Sequence, residues 1–155
     1  MARAAAEVEA GGAPWRSLLD RSEAAGEEAE KAARERLEAA EEGRRRPARE
    51  IGEEARRVGR RRRTEVLDFG LELCAAWFRD LSAVTAGAPE LVLNSDRAEE
   101  LGRDATGLEP TVPRRCVELV QDTRQRLDLN VSEELALEAL FFRLQRTLAG
   151  AVAPA

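Results

Sequence analysis

Few side chains in this sequence are of the types that usually carry out catalysis. The 155 residues include no histidine, no tyrosine, two cysteines and a single lysine, Lys31. Acid–base or nucleophilic catalysis would therefore depend on carboxylates and on serine or threonine hydroxyls. Those residues fall on the expected exteriors and ends of helices. We therefore expect no catalytic residues and no enzymatic activity from this chain by itself.

The sequence contains no pattern for binding a cofactor or a metal. A phosphate-cradling loop needs a Gly-x-x-x-x-Gly-Lys-Ser/Thr run, whereas Lys31 lies in a predicted helix. Cys74 and Cys116 fall on the apolar sides of predicted helices, where a free thiol behaves as a small hydrophobic group. We expect two buried free thiols, with no cofactor, no metal and no small-molecule substrate.

The composition favours helices. Ala, Glu, Arg and Leu dominate, and only 4% of the residues are aromatic, so strand-preferring residues are scarce. The predicted fold class is all-α: a helical bundle with a long, charged, partly projecting helical segment at its N-terminal end. No apolar run approaches the ~20 residues that a membrane span requires. We expect no membrane association and a cytoplasmic location.

Apolar residues are unevenly distributed along the chain. The helical segment before Thr64 has one narrow stripe that begins at Trp15 and is mostly alanine, with a break near Gly43 and a restart at Pro47. The large apolar side chains come later. The predicted segments are a frayed N-terminus (1–13), long charged helices (14–63), a helical domain (64–149) and a tail (150–155).

The central helix of the predicted bundle continues directly from the charged segment and ends near Thr85. A stripe with three-four spacing predicts a core placement for Trp77, so that Trp77→Ala would cost about 3–5 kcal/mol. Gly87 and Pro89 are expected to end the helix. The predicted stripe contains Leu67, Gly70, Cys74, Trp77, Leu81 and Val84, widened by Val66, Phe69, Leu73 and Phe78.

Arg79 and Asp80 interrupt this apolar helix. Because an unpaired charge beside a core is costly, we expect both side chains at the edge of the stripe, paired with neighbouring helices. Direct contact with a partner protein is the alternative.

Helix caps predict the remaining boundaries. Asn94, Ser95 or Asp96 is expected to cap a brief helix, and Ser132 to cap the last one. The last helix is predicted to bury Leu135, Leu137, Leu140, Phe141, Leu144 and Leu148.

A basic block lies between two acidic ones. Residues 44–63 hold ten arginines and three glutamates, net +7, between segments of net −5 and −7. The guanidinium groups could neutralise phosphates of nucleic acid, although no aromatic residues interleave to stack on bases. The alternative is a solvated helix whose arginines offset nearby glutamates, with DNA contacted only indirectly or weakly. The candidate contact residues are Arg56, Arg57, Arg60 and Arg61.

Two stretches, LELCAAWFRDLSAVTAGAPELVLNSD (71–96) and NVSEELALEALFFRL (130–144), together resemble the C-terminal collar domain of the delta-prime subunit of the bacterial DNA polymerase III clamp loader. The resemblance covers about residues 64–149. The gamma/tau collar has a similar shape, but the run from Gly87 to Asp96 looks more like delta-prime. The likeness is sharpest at Trp77, Phe78, Arg79, Asp80, Gly87, Ala88, Glu90, Leu91, Asn94, Asp96, Arg97, Asn130, Leu135, Ala136, Leu137, Glu138 and Leu140.

The resemblance implies a structural role in DNA replication for a chain that lacks the AAA+ module, as a fragment, a truncated reading frame or an isolated domain. Its implied partners are the gamma/tau and delta subunits, against whose collar domains it would pack. The alternatives are a stand-alone, arginine-rich helical nucleic-acid-binding protein and a coiled-coil adaptor that uses residues 14–63. The residues implied in structure or assembly are Trp77, Phe78, Arg79, Asp80, Asn94, Asp96, Asn130, Leu137 and Leu140.

Overall fold

The chain folds into α-helices. A computed structural model describes residues 11–40, 47–129 and 131–150, and within these ranges it contains two short 3-10 helices and no strand. The all-α prediction is confirmed. Within the same ranges, no helix has the length and apolar character of a bilayer span. The α-helices are α1 (Arg16–Ala40), α2 (Ala48–Thr85), α3 (Ala98–Ala105), α4 (Thr111–Leu127) and α5 (Glu133–Ala149).

Some of the sequence predictions concern residues outside the described ranges. They are most of the frayed start (1–10), the break at Gly43, the first three arginines of the basic block (44–46), Asn130, and most of the tail (151–155).

The chain divides into two compact units. The hairpin unit comprises Ser17–Gly70, and the bundle unit comprises the residues up to Arg16 together with those from Leu71 onward. The division falls inside α2, which runs without a break as the sequence predicts.

In the hairpin unit, α1 packs antiparallel against the N-terminal part of α2. A β-carbon on Gly59 would lie 2.8 Å from the carbonyl oxygen of Gly26, and one on Gly26 would lie 3.0 Å from the carbonyl oxygen of Gly59. The two backbones therefore touch, which glycine permits because it has no side chain. The buried residues beside this crossing are Leu19, Ser22, Ala33, Ile51 and Ala55.

The bundle unit has a core of large apolar side chains. Phe78 is fully buried, with Leu71, Ala75 and Leu81 buried on the same face of α2. The predicted burial of Leu137, Leu140 and Leu144 is confirmed. Other buried side chains are Leu101 from α3 and Cys116, Leu119 and Val120 from α4.

The buried face of α2 is offset from the predicted one. The exposed fractions of Phe69 and Leu73 are 59% and 55%, so the prediction that they widen the core stripe is wrong. Trp77 is only half-buried, and the central aromatic residue is its neighbour Phe78. Both candidate stripes have three-four spacing, so periodicity alone could not choose between them. The predicted burial of Leu135 on α5 is also wrong, because that side chain is exposed.

Trp15 belongs to the bundle unit rather than to the stripe of α1. Its ring is buried, with centroid distances of 5.9 Å to Phe141 and 6.2 Å to Phe142. The next residue, Arg16, forms an exposed ion pair with Glu134 at 2.9 Å. Tilted aromatic pairs add about 0.5–1.5 kcal/mol to the effect of burial. The aromatic contacts therefore attach the segment that precedes α1 to α5 within the bundle unit.

Two predicted helix boundaries are confirmed. Gly87 follows α2 with φ of 75°, and the N–H of Ala88 donates to the carbonyl of Ala83 at 2.9 Å. This left-handed residue and backbone bond are typical of a helix C-terminus. At the start of α5, the hydroxyl of Ser132 accepts from the N–H of Leu135 at 3.4 Å.

Candidate functional site

The buried carboxylate of Asp80 joins α2 to the segment that follows it. Asp80 has no exposed surface, and it accepts hydrogen bonds from the backbone N–H groups of Leu93 (3.2 Å) and Asn94 (2.9 Å). The side-chain amide of Asn94 donates a third bond at 2.6 Å. The guanidinium group of Arg79 pairs with the same carboxylate. These donors compensate the charge that burial would otherwise disfavour.

Asp80 is held in its ionised form. Burial by itself would raise the pKa of this carboxyl group, but the hydrogen bonds from Arg79, Asn94 and Leu93 outweigh that effect and lower the pKa to about 2. The group therefore stays charged near neutral pH. Since its oxygens already accept several hydrogen bonds, its role is to hold the backbone rather than to transfer protons.

The segment held by Asp80 is a connector of residues 86–97. It contains the 3-10 helices Pro89–Leu91 and Ser95–Arg97, and neither Ser95–Arg97 nor α3 has a side-chain cap. Asn94 does occupy the N-cap position of Ser95–Arg97, but the prediction that the side chain of Asn94, Ser95 or Asp96 caps a helix is wrong. The amide of Asn94 binds Asp80 instead, and Asp96 is exposed. The expected pairing of Asp80 with neighbouring helices is likewise replaced by pairing with the connector.

Trp77 fixes the position of α3. Its indole N–H donates to the Oδ2 of Asp104 at 3.2 Å, and the guanidinium carbon of Arg97 lies 5.9 Å from the ring centroid. Arg97 also forms an ion pair with Glu100. A cation over an indole ring is attracted by the ring's negative face. Sequence reasoning missed Asp104, although a half-buried indole N–H needs an acceptor.

The connector displays two leucines on its outer side. Leu91 is 64% exposed and Leu93 is 71% exposed, although Asp80 holds the backbone N–H of Leu93. Full burial of a leucine side chain is worth about 1.5–3 kcal/mol, and here that stabilisation is largely unused. An isolated exposed leucine is ordinary. Two of them on a segment fixed by a buried network form a candidate interaction surface.

The α5 apolar face is a second candidate surface in the bundle unit. Leu135, Ala139 and Phe142 are all exposed, and their spacing places them on one side of the helix. Exposed apolar side chains also precede the helix at Leu129 and Val131. Contiguous apolar surface on a folded domain is typical of binding sites for other proteins.

The described residues offer little else for catalysis. Cys116 is buried and Cys74 half-buried, and burial raises the pKa of each thiol to about 12. Such thiols remain protonated and are poor nucleophiles. Within the described ranges, no three His, Cys, Asp or Glu side chains are grouped so that they could hold a metal ion.

An open groove of about 540 Å³ lies beside the start of α4. Its arginines, Arg114 and Arg115, both pair with Glu118. The charged side chains of the groove thus pair with one another. The lining residues are Thr111, Val112, Arg114, Arg115, Glu118 and Thr147.

The predicted site residues occupy several distinct environments. Arg79, Asp80 and Asn94 meet in one network, whereas Trp77 contacts α3. Phe78, Leu137 and Leu140 are core residues. Asp96 is exposed, Asn130 lies outside the described residues, and the four candidate arginines are exposed on α2 in the hairpin unit.

No protein-family model, curated protein or solved structure matches this chain. The site is therefore interpreted from its own geometry.

Proposed function

We propose that this chain is a non-catalytic assembly module of a bacterial DNA polymerase III clamp loader, with the role of the delta-prime collar domain. In this role the bundle unit packs against the collar domains of the gamma/tau and delta subunits during DNA replication. The residues that carry the resemblance between 71 and 96 and in α5 belong to the bundle unit. This function needs apolar surface and a rigid fold, and no catalytic group.

The observation that carries the proposal is the exposure of large apolar side chains in the bundle unit. They occur on the connector, at Leu91 and Leu93, and on the α5 apolar face. Protein interfaces use apolar side chains at their centres, with few charged groups among them. Both surfaces fit packing against other helical domains.

The Asp80 network also supports an assembly role. It fixes the backbone of Leu93 and Asn94 before any partner is bound. A loop that is already ordered loses less conformational entropy on association, which favours affinity. Arg79 and Asp80 would thus act indirectly, by holding Leu91 and Leu93 in a binding conformation.

Size-exclusion chromatography with light scattering tests the proposal. The chain is mixed with gamma/tau and delta subunits at about 0.15 M and about 1 M NaCl, concentrations that differ strongly in charge screening. We expect co-elution at both concentrations, because apolar contacts are not screened by salt. Failure to co-elute at either concentration would reject the clamp-loader assignment.

A variant pair locates the contact. Leu91→Ser with Leu93→Ser is expected to reduce co-elution at least tenfold with little change in stability, because both side chains are largely exposed. Phe69→Ser is the matched control, since Phe69 is an exposed apolar residue of the hairpin unit. Equal losses for both variants would argue against a specific surface on the connector.

A further inference from the structure

Arginines are concentrated on one part of α2 in the hairpin unit. Six of the eight residues from Arg56 to Arg63 are arginines. Residues four apart on a helix are neighbours, about 5–6 Å between β-carbons, so two rows form. The arginine face consists of these rows, Arg56 with Arg60 and Arg57 with Arg61, all exposed and outside the buried stripe of Ile51, Ala55 and Gly59.

Three of the six arginines from Arg56 to Arg63 have carboxylate partners, and three do not. Arg61 and Arg62 pair with Glu65 at 3.0 and 3.6 Å, and Arg63 pairs with Glu23 at 3.3 Å. Among the described residues, Arg56, Arg57 and Arg60 have no ion pair. The pair made by Arg61 is highly exposed and therefore contributes little. Three guanidinium groups, and a fourth at small cost, are available to a ligand.

The surroundings of the arginine face favour a polyanion bound by charge. No aromatic residue occurs between Trp15 and Phe69, so stacking on the bases of a single strand is not provided. Among the described residues of this segment, Val58 is the large apolar side chain that is exposed, at 37%. A protein interface normally has an apolar centre, and a membrane-bound helix an apolar face. Duplex phosphates require neither.

We propose that Arg56, Arg57, Arg60 and Arg61 form a site for the phosphate backbone of duplex nucleic acid, without sequence preference. The proposal does not depend on the clamp-loader assignment. The whole chain has a net charge of −5, and α1 carries seven acidic against five basic side chains. General attraction to DNA is therefore not expected, and binding must come from this local face.

Fluorescence anisotropy with the full chain and a labelled 20-base-pair duplex measures the effect. Three to four phosphate contacts predict a slope of log K against log [NaCl] of about −2.7 to −3.6. Between 50 and 200 mM NaCl, affinity should then fall by roughly 40- to 150-fold. The variant Arg56→Gln/Arg57→Gln/Arg60→Gln is expected to reduce the magnitude of the slope by about 3.

Two further variants test whether binding depends on the arginine face itself or only on the total charge of the chain. Arg21→Gln/Arg34→Gln/Arg36→Gln removes three exposed arginines from α1 in the same unit, and it should bind like the wild type. Replacing Arg56, Arg57 and Arg60 by lysine keeps the charge and should preserve the salt slope. Circular dichroism checks that each variant is folded.

The proposal is overturned if the α1 variant loses as much affinity as the arginine-face variant, or if neither loses any. Tighter binding to a single strand of the same length, to polyglutamate or to anionic vesicles than to the duplex would also overturn it. Each of those results would assign the arginine face to a different partner class.

Discussion

The two compact units are stabilised in different ways. In the hairpin unit, Gly26 and Gly59 allow two helix backbones to touch. In the bundle unit, large side chains such as Phe78 and Leu101 fill a core, and the buried Asp80 holds a connector. The hairpin therefore depends on the absence of side chains at one crossing, whereas the bundle depends on side-chain volume and on one polar network.

Their surfaces differ in a parallel way. The hairpin unit exposes unpaired guanidinium groups at Arg56, Arg57 and Arg60, whereas the bundle unit exposes Leu91 and Leu93. Charge attracts ligands over several ångströms and is weakened by salt, whereas apolar contact is short-ranged and resists salt. Salt dependence can therefore distinguish the contributions of the two units to binding.

The largest expected effect is on the bundle core. Phe78→Ala should lower the free energy of unfolding by about 3–5 kcal/mol, because it removes a fully buried aromatic ring. Trp77→Ala should cost less, since Trp77 is only half-buried. Urea unfolding followed by circular dichroism measures both. A larger loss of stability for Trp77→Ala than for Phe78→Ala would show that the core is centred on the predicted stripe that contains Trp77.

Removing the buried carboxylate should have the next largest effect. Asp80→Ala leaves the N–H groups of Leu93 and Asn94 without their acceptor, and we expect a loss of about 3 kcal/mol. Asp96→Ala is the control, because Asp96 is exposed and should change stability by less than about 0.5 kcal/mol. Equal effects would remove the distinction between a buried network and a surface charge.

The same carboxylate predicts a dependence on pH. Because the pKa of Asp80 is lowered from 3.8 to about 2 in the folded state, its stabilising contribution is complete above pH 4. It is lost as the pH falls from 4 through 2. Unfolding free energies at pH 5, 3 and 2 should therefore fall more steeply for the wild type than for Asp80→Asn. Parallel curves would contradict an ionised Asp80.

The smallest expected effect concerns the helix crossing. In Gly59→Ala the new methyl group would lie 2.8 Å from the backbone oxygen of Gly26. Overpacking should cost about 1–3 kcal/mol of stability, which outweighs the gain of about 1 kcal/mol from the higher helix propensity of alanine. We therefore expect Gly59→Ala to destabilise the hairpin unit.

Gly102→Ala is the matched control for this crossing, because a β-carbon on Gly102 in α3 would meet no atom within 4 Å. It should stabilise the protein by up to about 1 kcal/mol. Thermal melts give the sign of each change. A stabilising effect of Gly59→Ala would show that the backbones do not touch.

Local patterns predicted the local features. The all-α fold, the C-terminal end of α2, the N-terminal cap of α5 and the burial of three of its leucines follow from helix propensity, capping chemistry and apolar spacing. Each of these depends on residues within a few positions of one another.

The features that sequence reasoning missed depend on residues distant in the chain. The Gly26–Gly59 crossing and the packing of Trp15 against Phe141 have no local signal. The sequence indicates roles for Asp80 and for Asn94 but not the contact between them. An asparagine that caps a helix and one that donates to a distant carboxylate look the same in the sequence. The choice between Trp77 and Phe78 required knowledge of the neighbouring helices.

The proposed assembly role of the connector leucines is tested by measuring complex formation with gamma/tau and delta subunits by light scattering, for three forms of the chain. These are the wild type, Leu91→Ser/Leu93→Ser, and Arg56→Gln/Arg57→Gln/Arg60→Gln. We expect the wild type and the arginine variant to form the complex at both low and high salt, whereas the leucine variant should not form it. A complex that survives loss of the leucines but requires the arginines would contradict this role.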